Sequence, residues 1–79
     1  MKITIYGRKN CAWCEKAKTL AESLKKDGEI EDFIYIDYQE ENLSKEDLFF
    51  IAGTQVKTVP IILVDTKYIG GYQELSEYF

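Results

Sequence analysis

Histidine is absent from the 79 residues, and cysteine, proline, tryptophan and methionine are scarce: two, one, one and one. Without an imidazole there is no Ser/His/Asp or Cys/His pair to activate a nucleophile. A tetrahedral zinc site takes four ligands, usually cysteine or histidine, and Cys11 and Cys14 are the only soft ligands present. No metal site within one chain is expected. Positive charge is the minority sign, with 10 lysines and arginines against 14 acids and a net charge of −4, which argues against a nucleic-acid binder. Apolar runs such as Val59 to Val64 fall far short of the roughly 20 residues that cross a bilayer, so no membrane partner is expected. The first residues, Met1 to Tyr6, alternate polar and apolar and lack the basic start and apolar stretch of a secretory leader. The expectation is a cytoplasmic protein with one small domain over residues 1–79.

Charge is unevenly spread. Residues 1–26 sum to +5, residues 27–51 to −8 and residues 52–79 to −1. Both cysteines therefore sit in a locally cationic stretch of an acidic chain. Two readings stay open: solvated faces of surface helices, or a field that favours a thiolate and an anionic thiol substrate.

Hydrophobic periodicity gives the order βα, βα, ββα. Lys2 to Tyr6 alternates as a strand, and Gly7 to Asn10 is a loop. From Cys11 the period changes: Cys14, Ala17, Leu20, Ala21 and Leu24 recur at helical spacing until Asp27 and Gly28. Asn10 is the expected N-cap. Phe33 to Asp37 is too continuously apolar for a one-sided strand and predicts burial on both faces. Ser44 and Asp47 form an acidic variant of the capping box for a second helix, which ends at Gly53. Ile61 to Val64 and Lys67 to Ile69 flank Asp65 and Thr66 as a hairpin. Gly70 and Gly71 break the chain before a short helix from Tyr72 to Phe79. A strand, crossover helix and strand make a right-handed parallel unit. With the hairpin added, the expected fold is α/β: a four-stranded mixed sheet flanked by three helices.

Four places carry chemistry. In Cys11-Ala12-Trp13-Cys14, the first cysteine lies at a helix start, where free N–H groups and the macrodipole favour an anion. Cys11 reads as the nucleophile and Cys14, one turn on, as the resolving thiol. A structural disulfide is the weaker reading, because a bridge across two residues closes too small a loop to stabilise much. Thr58-Val59-Pro60 holds the only proline. It reads either as a cis bond presenting the Val59 backbone to an extended ligand or as a trans proline opening an edge strand. Gly70-Gly71-Tyr72-Gln73-Glu74 is either a hairpin exit or a helix N-terminus open to a carboxylate. Arg8, next to Lys9 and the cysteines, is a candidate partner for a carboxylate.

Taken together, Tyr6-Gly7-Arg8, Cys11 and Cys14, Thr58-Val59-Pro60 and Gly70-Gly71-Tyr72 make the chain resemble glutaredoxins, dithiol members of the thioredoxin superfamily. It looks most like the short bacterial and phage forms that use glutathione and donate hydrogen to ribonucleotide reductase in deoxyribonucleotide synthesis. The resemblance implies a thioredoxin-like fold and a monomer. Glutathione is then a co-substrate, with no bound cofactor, and disulfide-containing proteins are the partners. It implies that Pro60 is cis and that Val59 pairs with the cysteinyl part of glutathione. It implies that Arg8, Trp13 and Thr58 line the groove, and that the γ-glutamyl end meets residues after the double glycine, from Gly71 to Tyr72, Gln73 and Glu74. Two positions depart from the family pattern: the usual Pro-Tyr between the cysteines is Ala12-Trp13, and the usual aspartate is Glu74. Other classes remain: a thioredoxin reduced by a flavoenzyme, an iron–sulfur carrier bridging two chains through Cys11 and glutathione, and a binding protein without turnover. A thioredoxin usually has a tryptophan where Asn10 stands and an extra strand and helix before the motif.

Overall fold

The computed structural model describes all 79 residues. The elements are β1 (Lys2–Gly7), α1 (Ala12–Lys26), β2 (Asp32–Asp37), α2 (Lys45–Ala52), β3 (Ile61–Val64), β4 (Lys67–Gly70) and α3 (Tyr72–Tyr78). They form one four-stranded sheet in the order β2-β1-β3-β4. β1 pairs parallel with β2 and antiparallel with β3, which pairs antiparallel with β4. This is the expected mixed sheet with three helices.

Alternation along β1 sends Ile3 and Ile5 to one face, where both are fully buried. α1 and α3 cover that face, contributing Ala17, Ala21, Leu24 and Leu75 to a core shared with Ile62 and Val64. The alanines matter because small side chains let a helix lie close on the sheet. Each buried isoleucine or leucine contributes about 1.5–3 kcal/mol relative to exposure.

β2 corrects the expectation of two-sided burial. It is an edge strand, none of its residues is fully buried, and Ile34 is 57% exposed. Phe33 and Tyr35 pack on the core, whereas Ile34 pairs with Thr4 on the opposite face. α2 has only eight residues and packs toward β4, which leaves the β2 end of that face open. The strand buried at every position is β3, Ile-Ile-Leu-Val, in the sheet interior.

The local signals for α2 and the hairpin hold. Ser44 Oγ accepts from Asp47 N–H at 3.1 Å, Asp47 Oδ2 accepts from Ser44 N–H at 2.8 Å, and Gly53 closes the helix at φ 76°. The hairpin turn uses Asp65 at φ 55°, and its Oδ1 accepts from Lys2 N–H at 2.9 Å, tying the turn to β1.

Candidate functional site

The loop after β1 delivers the chain to the cysteines. Arg8 turns its guanidinium back onto the carbonyls of Lys9 and Asn10, at 3.3 and 3.4 Å. Asn10 takes a left-handed φ of 57°, which its short polar side chain tolerates. It is not the helix cap. Cys11 is, with extended backbone, and its Sγ accepts from Cys14 N–H at 3.2 Å. The expected Asn10 cap therefore moves by one residue, because a sulfur at the N-cap can satisfy the same free amide that an asparagine oxygen would.

Cys11 and Cys14 are joined as a disulfide, with Cα atoms 5.2 Å apart. The two sulfurs differ in access. Cys11 is 7% exposed and lines a cleft, whereas Cys14 is completely buried and faces the interior. Behind Cys14 stands Gly7: a Cβ there would lie 2.8 Å from Tyr35 Cζ and 3.1 Å from Cys14 Cβ, so only glycine fits. The Tyr35 hydroxyl fills that space and donates to the Arg8 carbonyl at 3.4 Å. Burial pushes the Tyr35 phenol above its ordinary pKa, with Glu15 and Asp37 adding to the rise.

The cleft has a volume of about 850 Å³. Arg8, Cys11, Trp13, Thr58 and Val59 all line it, so the structure gathers five of the residues expected from sequence. The Val59–Pro60 bond is cis, as the resemblance implies, and Pro60 is buried at the entry to an interior strand rather than an edge one.

The segment after the double glycine lies outside this cleft lining. It joins the site through Tyr72, whose ring centroid is 5.8 Å from that of Trp13, and through Gly71, where a Cβ would sit 3.4 Å from the Pro60 carbonyl. Glu74 is already engaged: its Oε1 accepts from Gly71 N–H at 2.7 Å and closes the start of α3. Gln73 is exposed on the first turn, and its carbonyl accepts from Ser76 Oγ at 2.8 Å.

Sequence reasoning missed Lys45 and Lys57, which line the cleft with Arg8; no acidic side chain does. A signal existed for Lys45, the only base among residues 27–51. It stands in the first turn of α2, and only the packing of α2 brings it to the cleft that Cys11 also lines.

The glutaredoxin family model matches residues 3–69. Glutaredoxin 1 of Escherichia coli is 41% identical over 78 residues, covering 99% of this chain and 92% of that protein. The glutaredoxin of Haemophilus influenzae is 48% identical over 73 residues, covering 90% of this chain and 82% of that one. The structure of reduced Escherichia coli glutaredoxin superposes with a TM-score of 0.88 at 41% identity, over 99% of this chain and 92% of that one. No helix here is long and apolar enough to cross a membrane. Likeness along the whole length, with a cysteine pair at the start of its first helix, places the chain in the glutaredoxin family as a thiol–disulfide oxidoreductase.

Proposed function

We propose that the protein reduces protein disulfides and glutathione mixed disulfides at the expense of glutathione, with ribonucleotide reductase as one protein substrate. The observation that carries this reading is that Cys11, the less deeply buried cysteine of the pair, lines a cleft together with Arg8, Lys45 and Lys57 and with no acid. Glutathione is an anionic tripeptide, and such a lining attracts its carboxylates. Residues 1–79 act as one domain and as a monomer, in the reducing cytoplasm where a dithiol is maintained.

Cys11 is the nucleophile and Cys14 the resolving thiol. Once reduced, Cys11 sits at the N-cap, where the Cys14 amide and the helix dipole stabilise a thiolate. That thiolate attacks one sulfur of a substrate disulfide, forming a mixed disulfide and releasing the other sulfur as a thiolate that takes up a proton. Cys14 then gives up its proton and attacks Cys11 Sγ, which frees the second substrate thiol and leaves the Cys11–Cys14 disulfide. Two reduced glutathiones return the two electrons and depart as oxidised glutathione. On a glutathione mixed disulfide Cys11 suffices: it takes the glutathionyl group and passes it to a second glutathione.

Arg8, Trp13 and Thr58 line the groove for the tripeptide, Val59 pairs its backbone with the cysteinyl part, and Pro60 shapes that approach. Gly71, Tyr72, Gln73 and Glu74 meet the γ-glutamyl end. Because the Glu74 carboxylate caps α3, it acts by holding the Gly71 and Tyr72 backbone in place.

Comparing electron donors tests the reading. The oxidised protein should be reduced and turned over by glutathione with glutathione reductase. Turnover only with a flavoenzyme thioredoxin reductase would overturn it.

A further inference from the structure

Trp13 is the only tryptophan and is 55% exposed, standing beside the disulfide as part of the cleft lining. An exposed side chain on a helix ordinarily samples several rotamers. Two neighbours restrain this one. Lys16, three residues along α1 and so on the same helix face, places its ammonium 4.6 Å from the indole centroid. Tyr72, the first residue of α3, meets the indole at 5.8 Å with planes tilted by 44°. Lys16 makes no ion pair and does not line the cleft that holds Cys11. Its ammonium is thus free for the ring, and among aromatic rings indole holds a cation best.

We infer that Lys16 is a positioning residue for disulfide exchange: with Tyr72 it holds the Trp13 indole as a fixed wall of the Cys11 cleft, so that glutathione meets a preset surface. Fixing the wall in advance removes an ordering cost that binding would otherwise carry. The inference rests on the reading that the cleft receives glutathione, yet the state of the indole can be read without any ligand.

The test compares Lys16→Met with Lys16→Arg. Because Trp13 is the only tryptophan, all indole emission reports on it. Lys16→Met should raise acrylamide quenching and lower the anisotropy of that emission, and Lys16→Arg, which keeps a cation over the ring, should restore both. For a glutathionylated peptide, Lys16→Met should raise KM by about two- to fivefold, the ratio matching an exposed cation–π contact, with kcat moving less. In a Trp13→Leu background the same change should raise KM no further. Unchanged quenching and anisotropy in Lys16→Met would overturn the inference. So would an equal KM increase in the Trp13→Leu background, which would make Lys16 a diffuse electrostatic contributor. If Trp13→Leu leaves KM unaltered, the glutathione reading of Trp13 fails, and the emission arm alone decides whether Lys16 holds the ring.

Discussion

The backbone amide of Cys14 donates to Sγ of Cys11 at 3.2 Å, so the fully buried cysteine contributes the group that steadies the one lining the cleft. The atom that caps α1 is thus the sulfur proposed as the nucleophile. Replacement of Cys11 therefore has separable consequences for folding and chemistry. Cys11→Ser keeps an oxygen acceptor at the cap and should lose all exchange activity while unfolding within about 0.5 kcal/mol of the reduced wild type. Cys11→Ala loses both and should be less stable by about 1 kcal/mol. Urea unfolding of the reduced proteins beside an activity assay checks this, and turnover by Cys11→Ser would refute the assignment.

Gly70 holds φ 125°, and a Cβ there would come 2.6 Å from Glu74 Cγ and 2.8 Å from its Cδ. Gly70→Ala should force Glu74 off the Gly71 amide and displace the start of α3. The expected result is a loss of about 1–3 kcal/mol, together with weaker binding of glutathione. A fully stable Gly70→Ala protein with unchanged KM for glutathione substrates would contradict the cap role of Glu74.

Tyr35 titrates above its ordinary value of 10.0 chiefly because it is desolvated. A raised folded-state pKa gives stability that is complete below the unfolded value and is lost as pH rises through the folded value. The Tyr35 contribution should thus be constant below about pH 10 and be lost above it. Tyr35→Phe should lessen the alkaline fall in stability, leaving the parts due to Tyr68, which burial raises, to Lys9, which its hydrogen bond with Glu40 raises, and to the Met1 amine, which its hydrogen bond with Glu31 raises. Denaturant midpoints at several pH values decide the matter, and an unaltered alkaline slope in Tyr35→Phe would be the contrary result.

Ile34 and Ile5 lie in adjacent strands, β2 and β1, and are opposite in burial, at 57% and 0% exposure. Ile5→Ala should cost about 2–5 kcal/mol, and Ile34→Ala less than about 1. Comparable losses from thermal or chemical unfolding would mean that the open sheet face is covered in solution.

That pair also shows where sequence reasoning stops. Local rules gave the elements: the change of period at Cys11, the Ser44–Asp47 box and Gly53 each act within a few residues, and all three stand in the structure. Strand order is a long-range property, so an apolar run in β2 looked like an interior strand although β3 holds that place. The cysteine pair was legible because its spacing is a contiguous motif, whereas Thr58-Val59-Pro60 left a cis and a trans proline open and the cis bond followed only from the family resemblance. Lys45 and Lys57 were not, since they reach the cleft only through the packing of α2 and of the segment that follows it. Asn10 was misread as the cap because asparagine favours both that role and the left-handed turn it occupies instead.

The central claim is that Cys11 alone exchanges with glutathione, with Cys14 needed only to resolve. Cys14→Ser protein treated with oxidised glutathione and weighed intact should carry a single glutathionyl group on Cys11, and reduced glutathione should remove it far faster than from a free cysteine peptide. The absence of an adduct, or release no faster than from that peptide, would contradict the account.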